Sequence, residues 1–133
     1  MRLDTIKLPS CPGQIAEVEV FLKSISAKYG ISSKKYPDIL ISLTEAVNNA
    51  IIHGNCNDVS KFVRITFSEN QNKMVVFKIT DEGKGFNPTS VPDPTKEELL
   101  ECCGGRGVHI MKCLSDDVSY KENGRTVILK FKL

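Results

Sequence analysis

The sequence predicts an α+β fold, a two-layer sandwich in which a mainly antiparallel sheet is covered on one face by about three helices. In the first part of the chain, apolar residues recur every three or four positions, as they do along a helix packed on a core. In later segments they alternate with polar residues, which is typical of half-buried strands. Short polar turns join those segments, and such turns connect antiparallel strands but are too short for parallel crossovers.

The predicted elements follow the order β-α-α-β-β-loop-α-β-β. Residues 2–8 alternate as a short strand, after which Ser10 is expected to cap a first helix that has Pro12 in its first turn. Gly30 is expected to end that helix, and Gly54 to end a second helix that follows it. Two strands follow at residues 61–68 and 74–81, and then a long loop at residues 82–105. A helix at residues 107–114 precedes the last two strands, at residues 117–121 and 125–133.

The bulk composition excludes several classes of protein. A chain of 133 residues suffices for a single domain, residues 1–133, whose core needs no disulfide or metal. A formal net charge of +2 with scattered lysines argues against direct binding of nucleic acid. No apolar run has the length of a signal peptide or a membrane span, so we expect a cytoplasmic protein that does not bind membranes.

The cysteines favour reduced thiols over a disulfide framework. Their number is odd, their spacing is irregular, and no C-x-x-C pair indicates zinc. A redox role for the adjacent pair Cys102 and Cys103 is the alternative. The five cysteines are Cys11, Cys56, Cys102, Cys103 and Cys113.

A polar stripe runs along the second predicted helix beside its apolar face. Glu45, Asn49 and His53 are spaced four residues apart, so they lie on one side of a helix. A carboxylate and a carboxamide one turn apart suit a hard cation and a nearby hydroxyl, since asparagine offers a neutral oxygen and glutamate accepts a proton. The alternative is an ordinary solvated helix face.

A glycine-rich segment directly follows a predicted strand. In Asp81-Glu82-Gly83-Lys84-Gly85-Phe86, the alternate glycines let the backbone approach a ligand closely. Asp81, at the strand end, can accept a hydrogen bond from an exocyclic amine. The same pattern could also serve only as a turn.

A second glycine-rich segment, Gly104-Gly105-Arg106-Gly107, opens the third predicted helix. The unpaired N–H groups and the positive end of the helix dipole make such a segment a candidate anion site. Arg106 could reach a phosphate or only cap a loop. The segment is neither a Walker loop, because no G-K-[ST] follows, nor a Rossmann fingerprint, because no strand directly precedes it.

Taken together, these motifs resemble one protein family. The chain looks like the ATP-binding fold shared by gyrase, the heat-shock chaperone ATPase, histidine kinases and the mismatch-repair ATPase, and within that fold it resembles the anti-sigma factor serine/threonine kinases. TEAVNNAIIHG resembles that family's asparagine box, TDEGKGFNP and GGRGVHIMKCLSDDVSY its two glycine boxes, and GRTVILKF its final strand. The resemblance covers nearly the whole chain.

The resemblance implies a role for each motif residue. Glu45 would be the general base, Asn49 the ligand of Mg²⁺, and Asp81 the acceptor for the adenine amine of ATP. Gly83 and Gly85 would support Asp81, and Gly105, Arg106 and Gly107 would wrap the phosphates. Thr126 would support the adenine through the sheet, and His53 would lie near the phosphates or be a structural residue. Residues 87–104 would form an ATP lid that is mobile without ligand.

The function implied by the resemblance is ATP-dependent phosphorylation of a serine or threonine on a small antagonist protein, together with binding of a sigma factor. The protein would thereby regulate transcription, and the resemblance favours a homodimer. One alternative is a nucleotide-dependent switch without kinase activity. The other is the catalytic domain of a histidine kinase, which is disfavoured because His53 and His109, the only histidines, lie inside nucleotide motifs.

Overall fold

The strands of the described chain form one antiparallel sheet. The computed structural model describes residues 2–11, 13–70, 73–83, 105–122 and 124–133. The strands within these ranges are β1 (Arg2–Pro9), β2 (Phe62–Glu69), β3 (Met74–Thr80), β4 (Asp117–Lys121) and β5 (Thr126–Lys132). Their order across the sheet is β1-β2-β3-β5-β4, and every neighbouring pair is antiparallel.

Three α-helices precede or interrupt these strands in the described ranges: α1 (Ile15–Tyr29), α2 (Tyr36–Asn49) and α3 (Gly105–Leu114). Gly30 ends α1 in the left-handed conformation, with φ of 73°, as predicted. Beyond Asn49 the chain continues as a π-helical turn, Ala50–Gly54. The backbone N–H of Asn55 closes this turn by donating to the carbonyl of Ala50 at 2.8 Å.

The helices cover one face of the sheet, which confirms the predicted two-layer α+β fold. Alternate residues of the strands are buried together with residues of the helices in one core. Its centre is a row of aromatic rings, in which the centroids of Phe67 and Phe77 lie 5.3 Å apart and those of Phe77 and Phe131 lie 6.2 Å apart. Burial of this apolar surface is the main force that holds the helices on the sheet.

The start of the first helix was predicted wrongly. Ser10 does not cap α1, which begins only at Ile15. Instead, the Ser10 hydroxyl donates to the carbonyl of Lys61 at 2.8 Å, just before β2. A contact across 51 residues of chain overrides the local capping signal.

The boundaries of the other two helices also differ from the prediction. The α-helical geometry of α2 stops at Asn49, and the π-helical turn covers the remaining residues up to Gly54. Helix α3 begins at Gly105, two residues before the expected start. Within the predicted loop, KEELLE at residues 96–101 has the pattern of a short helix, and these residues lie outside the described ones.

Candidate nucleotide site

Helix α2 presents the proposed catalytic stripe at the edge of the core. Leu43 and Val47 are fully buried against the sheet. Glu45 and Asn49, one turn apart, are half-buried beside them and therefore retain contact with solvent. The structure thus places a carboxylate and a carboxamide side by side, partly sheltered from water, where a ligand can reach both.

The π-helical turn changes the end of this stripe. Its hydrogen bond spans five residues, so it winds more loosely than the α-helix before it. His53, within this turn, is exposed and no longer follows the strict fourfold spacing from Asn49. Single π-helical turns of this kind are frequent at functional sites.

Asp81 follows the last residue of β3 and is buried, with 8 % of its surface exposed. Its backbone N–H donates to the carbonyl of Arg125 at 2.9 Å, and its carboxylate accepts from the N–H of Gly83 at 2.8 Å. Burial raises the pKa of Asp81 above the usual value, and the Gly83 hydrogen bond and the charges of Arg125 and Lys61 only partly oppose that rise. The carboxylate is therefore held in a site that disfavours its charge unless a donor arrives.

Close packing of two glycines fixes where this carboxylate lies. A Cβ atom on Gly54 would lie 2.3 Å from Oδ2 of Asp81, and one on Gly83 would lie 1.9 Å from the carbonyl oxygen of Gly54. No side chain larger than hydrogen fits at either position without displacement. The end of the π-helical turn is thus in direct contact with Asp81 and with the loop after β3.

Thr126 is not brought to the same side of the sheet as Asp81. In β5 the core-facing residues are Val127, Leu129 and Phe131, so Thr126 belongs to the opposite face. It is buried there, and its hydroxyl lies 3.1 Å from the hydroxyl of Thr80. The neighbouring Arg125 instead contributes its backbone carbonyl, and part of the local positive charge, to the Asp81 loop.

Part of the predicted site lies outside the described residues. This applies to Gly85, to the expected lid at residues 87–104, and to Cys102 and Cys103. Of the phosphate segment, Gly105, Arg106 and Gly107 form the first turn of α3, which packs against α2. Of the cysteines in the described ranges, Cys11 and Cys56 are free thiols.

Sequence reasoning missed Gly54 and Asn55 as parts of this site. Gly54 was assigned only to a helix stop, although it contacts Asp81. Asn55 is buried, and its side-chain oxygen accepts from the N–H of Glu82 at 2.8 Å. The signal that could have indicated this is a glycine–asparagine pair directly after a polar helical stripe, because such a pair can form a loop that contacts a second segment of the chain.

Two further features are absent from the described residues. No group of three or more His, Cys, Asp or Glu side chains in this part of the chain is placed to hold a metal ion. Among the helices that the structure describes, none is long and apolar enough to cross a membrane.

The sheet, the helical stripe and the buried carboxylate together define a histidine kinase-like ATPase domain. The family model of that description matches residues 8–131, and the chain belongs to this family. Within it, the chain belongs to the group of serine-protein kinases called RsbW.

The relatives that support this assignment match the chain along most of their own length. A serine-protein kinase RsbW from Bacillus licheniformis is 30 % identical, across 92 % of this chain and 80 % of its own. The protein of that name from Bacillus subtilis is 24 % identical, across 96 % of this chain and 82 % of its own.

Solved structures share the fold. The RsbU and RsbW domains of a Mycobacterium tuberculosis protein match with a TM-score of 0.72 and 17 % identity, over all of this chain and 32 % of theirs. The histidine kinase domain of a blue-light activated kinase from Erythrobacter litoralis matches with a TM-score of 0.53 and 17 % identity, over 92 % of this chain and 59 % of its own.

Proposed function

We propose that this protein is an ATP-dependent protein serine/threonine kinase of the anti-sigma factor type. It transfers the γ-phosphoryl group of ATP to a small antagonist protein, and it binds a sigma factor. Membership of the RsbW group of serine-protein kinases supports the reaction class. The observation that carries the proposal is the contact between the end of the α2 segment and the buried Asp81 carboxylate, which joins the two halves of a nucleotide site.

The base end of the nucleotide lies at Asp81 in this proposal. An ionised, buried carboxylate lacks solvent donors, and an adenine amine supplies one. Gly83 holds the carboxylate through its backbone N–H, and its missing side chain leaves room for the close approach of Gly54. Gly85, which lies outside the described residues, would support Asp81 as well. Thr126 would support the adenine only through the sheet, because its side chain belongs to the face opposite Asp81.

The phosphate end lies between α2 and the start of α3. Gly105, Arg106 and Gly107 supply backbone N–H groups at a helix N-terminus, where negative charge is stabilised. His53, exposed on the π-helical turn, is available to the same phosphates.

Mg²⁺ fits these residues as the partner of the nucleotide rather than as a protein-held ion. Mg²⁺ commonly takes only one or two protein ligands and completes its shell with phosphate oxygens and water. Asn49 offers one neutral oxygen, and the described residues offer no denser cluster of ligands. When bound, the ion neutralises charge on the phosphates.

Glu45 acts on the protein substrate. It is half-buried one turn before Asn49, so its carboxylate is close to the phosphates without being needed as a metal ligand. There it accepts the proton of the attacking serine or threonine hydroxyl.

The proposal extends to partners, oligomeric state and location. The partners are proteins rather than nucleic acid, the enzyme functions as a homodimer, and it is located in the cytoplasm.

The test is phosphorylation by a Glu45→Gln variant. A general base typically contributes roughly 10²- to 10⁴-fold to a rate, so this variant is expected to keep its ATP affinity and lose most of its transfer. Small proteins that co-purify with the enzyme from its native cell supply the substrate, and initial rates are measured at saturating ATP. Glu17→Gln is the matched control, because it removes an exposed carboxylate from α1, a different helix.

The alternative function, a nucleotide switch without kinase activity, is decided by the same assay. A wild-type protein that binds ATP but transfers no phosphate to any co-purified partner would establish the switch. A Glu45→Gln variant within about threefold of the wild-type rate, far below the usual contribution of a base, would remove Glu45 from catalysis.

A further inference from the structure

Asn55 joins four segments of the chain that are distant in sequence. Its side-chain amide donates to the hydroxyl of Ser10 at 2.8 Å, after β1, and to the carbonyl of Phe62 at 3.1 Å, at the start of β2. Its side-chain oxygen accepts from the N–H of Glu82 at 2.8 Å, after β3. Its own N–H closes the π-helical turn on Ala50. The residue is almost completely buried, with 1 % of its surface exposed.

The hydrogen bonds around Asn55 form a closed network. The Ser10 hydroxyl in turn donates to the carbonyl of Lys61 at 2.8 Å. The carboxylate of Glu82 accepts from the N–H of Phe62, so the loop after β3 is bound both to the start of β2 and to Asn55. Every polar atom of the Asn55 side chain has a partner, and a shorter side chain would leave several buried groups unpaired.

This network lies directly next to the carboxylate that reads the base. Glu82, whose N–H is held by Asn55, follows Asp81 in the chain, and Gly54, which precedes Asn55, is the residue that Asp81 contacts. Asn55 therefore fixes both sides of the Gly54–Asp81 contact. It also fixes the end of the helical segment that carries Glu45 and Asn49.

We infer that Asn55 is a positioning residue for base selection: it sets the position of the Asp81 carboxylate relative to the α2 stripe. This inference rests on the proposed function, because it takes Asp81 to be the acceptor for the adenine amine. Asn55 itself touches no nucleotide in this account. Its contribution is to restrict Asp81 to the one place where an amine, and not a carbonyl, is favoured.

The consequence is a change in selectivity that a loss of stability alone would not produce. Inosine triphosphate carries an oxygen where ATP carries the amine, so it cannot donate to Asp81. Loss of a charge-assisted hydrogen bond corresponds to a roughly 10- to 100-fold preference for ATP in the wild type. With Asn55 removed, Asp81 can move away from either base, and the preference is expected to fall at least about threefold, roughly half of a factor-of-ten step in affinity.

The experiment compares Kd values for ATP and inosine triphosphate, by calorimetry well below the unfolding temperature, for wild type, Asn55→Ala and Ser42→Ala. Ser42 is the matched control. It is fully buried in α2, and its hydroxyl makes a single hydrogen bond, to the carbonyl of Asp38 at 2.8 Å, away from the Asp81 loop. Both variants lose buried hydrogen bonds, but only Asn55→Ala is expected to change the ratio of the two Kd values.

The outcomes separate this inference from the function on which it rests. A wild type that binds neither nucleotide, or binds both equally, overturns the adenine assignment of Asp81 and the inference with it. A selective wild type whose ratio is unchanged in Asn55→Ala overturns the inference alone. If Asn55→Ala does not fold, Ser10→Ala takes its place, since it removes one acceptor of the Asn55 amide. An unchanged ratio in that variant, or fast hydrogen exchange at the Glu82 N–H of the wild type, contradicts the inference.

Discussion

Asp81 is a buried carboxylate whose surroundings disfavour its charge. Its carboxylate is buried at the end of β3, and burial raises its pKa. Only one hydrogen bond to the carboxylate oxygens, from Gly83, is found among the described residues. A carboxylate that served the fold would be better satisfied than this. The remaining acceptor capacity is what an adenine amine can use.

The raised pKa makes ATP affinity depend on pH. Protonated Asp81 loses its charge and much of its strength as an acceptor, so binding weakens as the pH falls through its pKa in the free protein. Because that pKa lies above the usual value, the loss begins at a higher pH than for an ordinary aspartate. Calorimetric Kd values for ATP between neutral pH and about pH 4.5 measure it.

Asp81→Asn is the reference for this pH dependence. It binds ATP roughly 10- to 100-fold more weakly at neutral pH, through the loss of one charge-assisted hydrogen bond. Its affinity should then follow only the protonation of ATP itself. If wild type and variant lose affinity in parallel as the pH falls, Asp81 does not titrate in the binding step.

Asn49 provides a second prediction at this scale. Asn49→Ala removes a neutral oxygen next to the proposed phosphate site, so it should weaken binding of Mg·ATP more than binding of free ATP. The measurement is Kd for ATP with Mg²⁺ and with a chelator. Asn48→Ala, on the adjacent position of α2 and similarly half-buried, is the control. An equal loss for Asn49→Ala under both conditions would contradict the metal assignment.

At the scale of elements, the π-helical turn after α2 directs the chain differently from a continued α-helix. It ends the helix with Gly54 against Asp81 and places Asn55 among the ends of β1, β2 and β3. Helix and sheet are thereby joined at Asp81, the proposed acceptor for the adenine amine.

Gly54→Ala tests that connection. Its Cβ would lie 2.3 Å from Oδ2 of Asp81, so the carboxylate must move and ATP affinity should fall at least tenfold, as for the loss of one charge-assisted hydrogen bond. Gly30→Ala is the control, because its Cβ enters open space and only the positive φ is strained, at a cost of about 1–2 kcal/mol. Calorimetry and thermal unfolding are measured for both. A Gly54→Ala variant that loses stability but binds ATP normally would show that the contact serves only the fold.

The sequence predicted elements well where local periodicity and burial agree. The alternation in β2 and β3 and the apolar face of α2 each identified the buried residues, such as Phe67, Phe77 and Leu43. The prediction from sequence failed where a contact between residues distant in the chain determines the local structure. Ser10 looked like a cap but bonds to Lys61, and nothing local distinguishes the two.

Within the site, the motif residues of α2 and Asp81 were predicted, but the framework that joins them was not. The π-helical turn has no distinct sequence pattern, and the four partners of Asn55 become neighbours only in the folded chain. The role predicted for Thr126 depends on strand register. A shift of one residue moves a side chain to the other face of a sheet, and Arg125, not Thr126, has the phase of the core.

At the scale of the whole molecule, ligand binding and stability are linked through the same carboxylate. The aromatic row and the helices packed on it supply the stability, while Asp81 reduces it at neutral pH. The sign follows from the pKa: because folding raises the pKa, the contribution of Asp81 to stability is greatest below its unfolded pKa and is lost as the pH rises through its folded pKa. An ionised Asp81 in the ligand-free protein is therefore a net cost to the fold.

Asp81→Asn should accordingly reverse its effect on stability when ATP is added. Without nucleotide, the variant removes the buried charge and keeps an oxygen to accept from Gly83, so it should unfold at a higher temperature than wild type. At ATP near 100 times the wild-type Kd, mass action adds about 2.7 kcal/mol to the unfolding free energy of the wild type. A variant that binds at least tenfold more weakly gains about 1.4 kcal/mol or less. Urea unfolding at neutral pH with and without Mg·ATP measures both terms. Parallel shifts in the two proteins would mean that the carboxylate takes no part in binding, and a less stable ligand-free variant would mean that its charge is already satisfied by the fold.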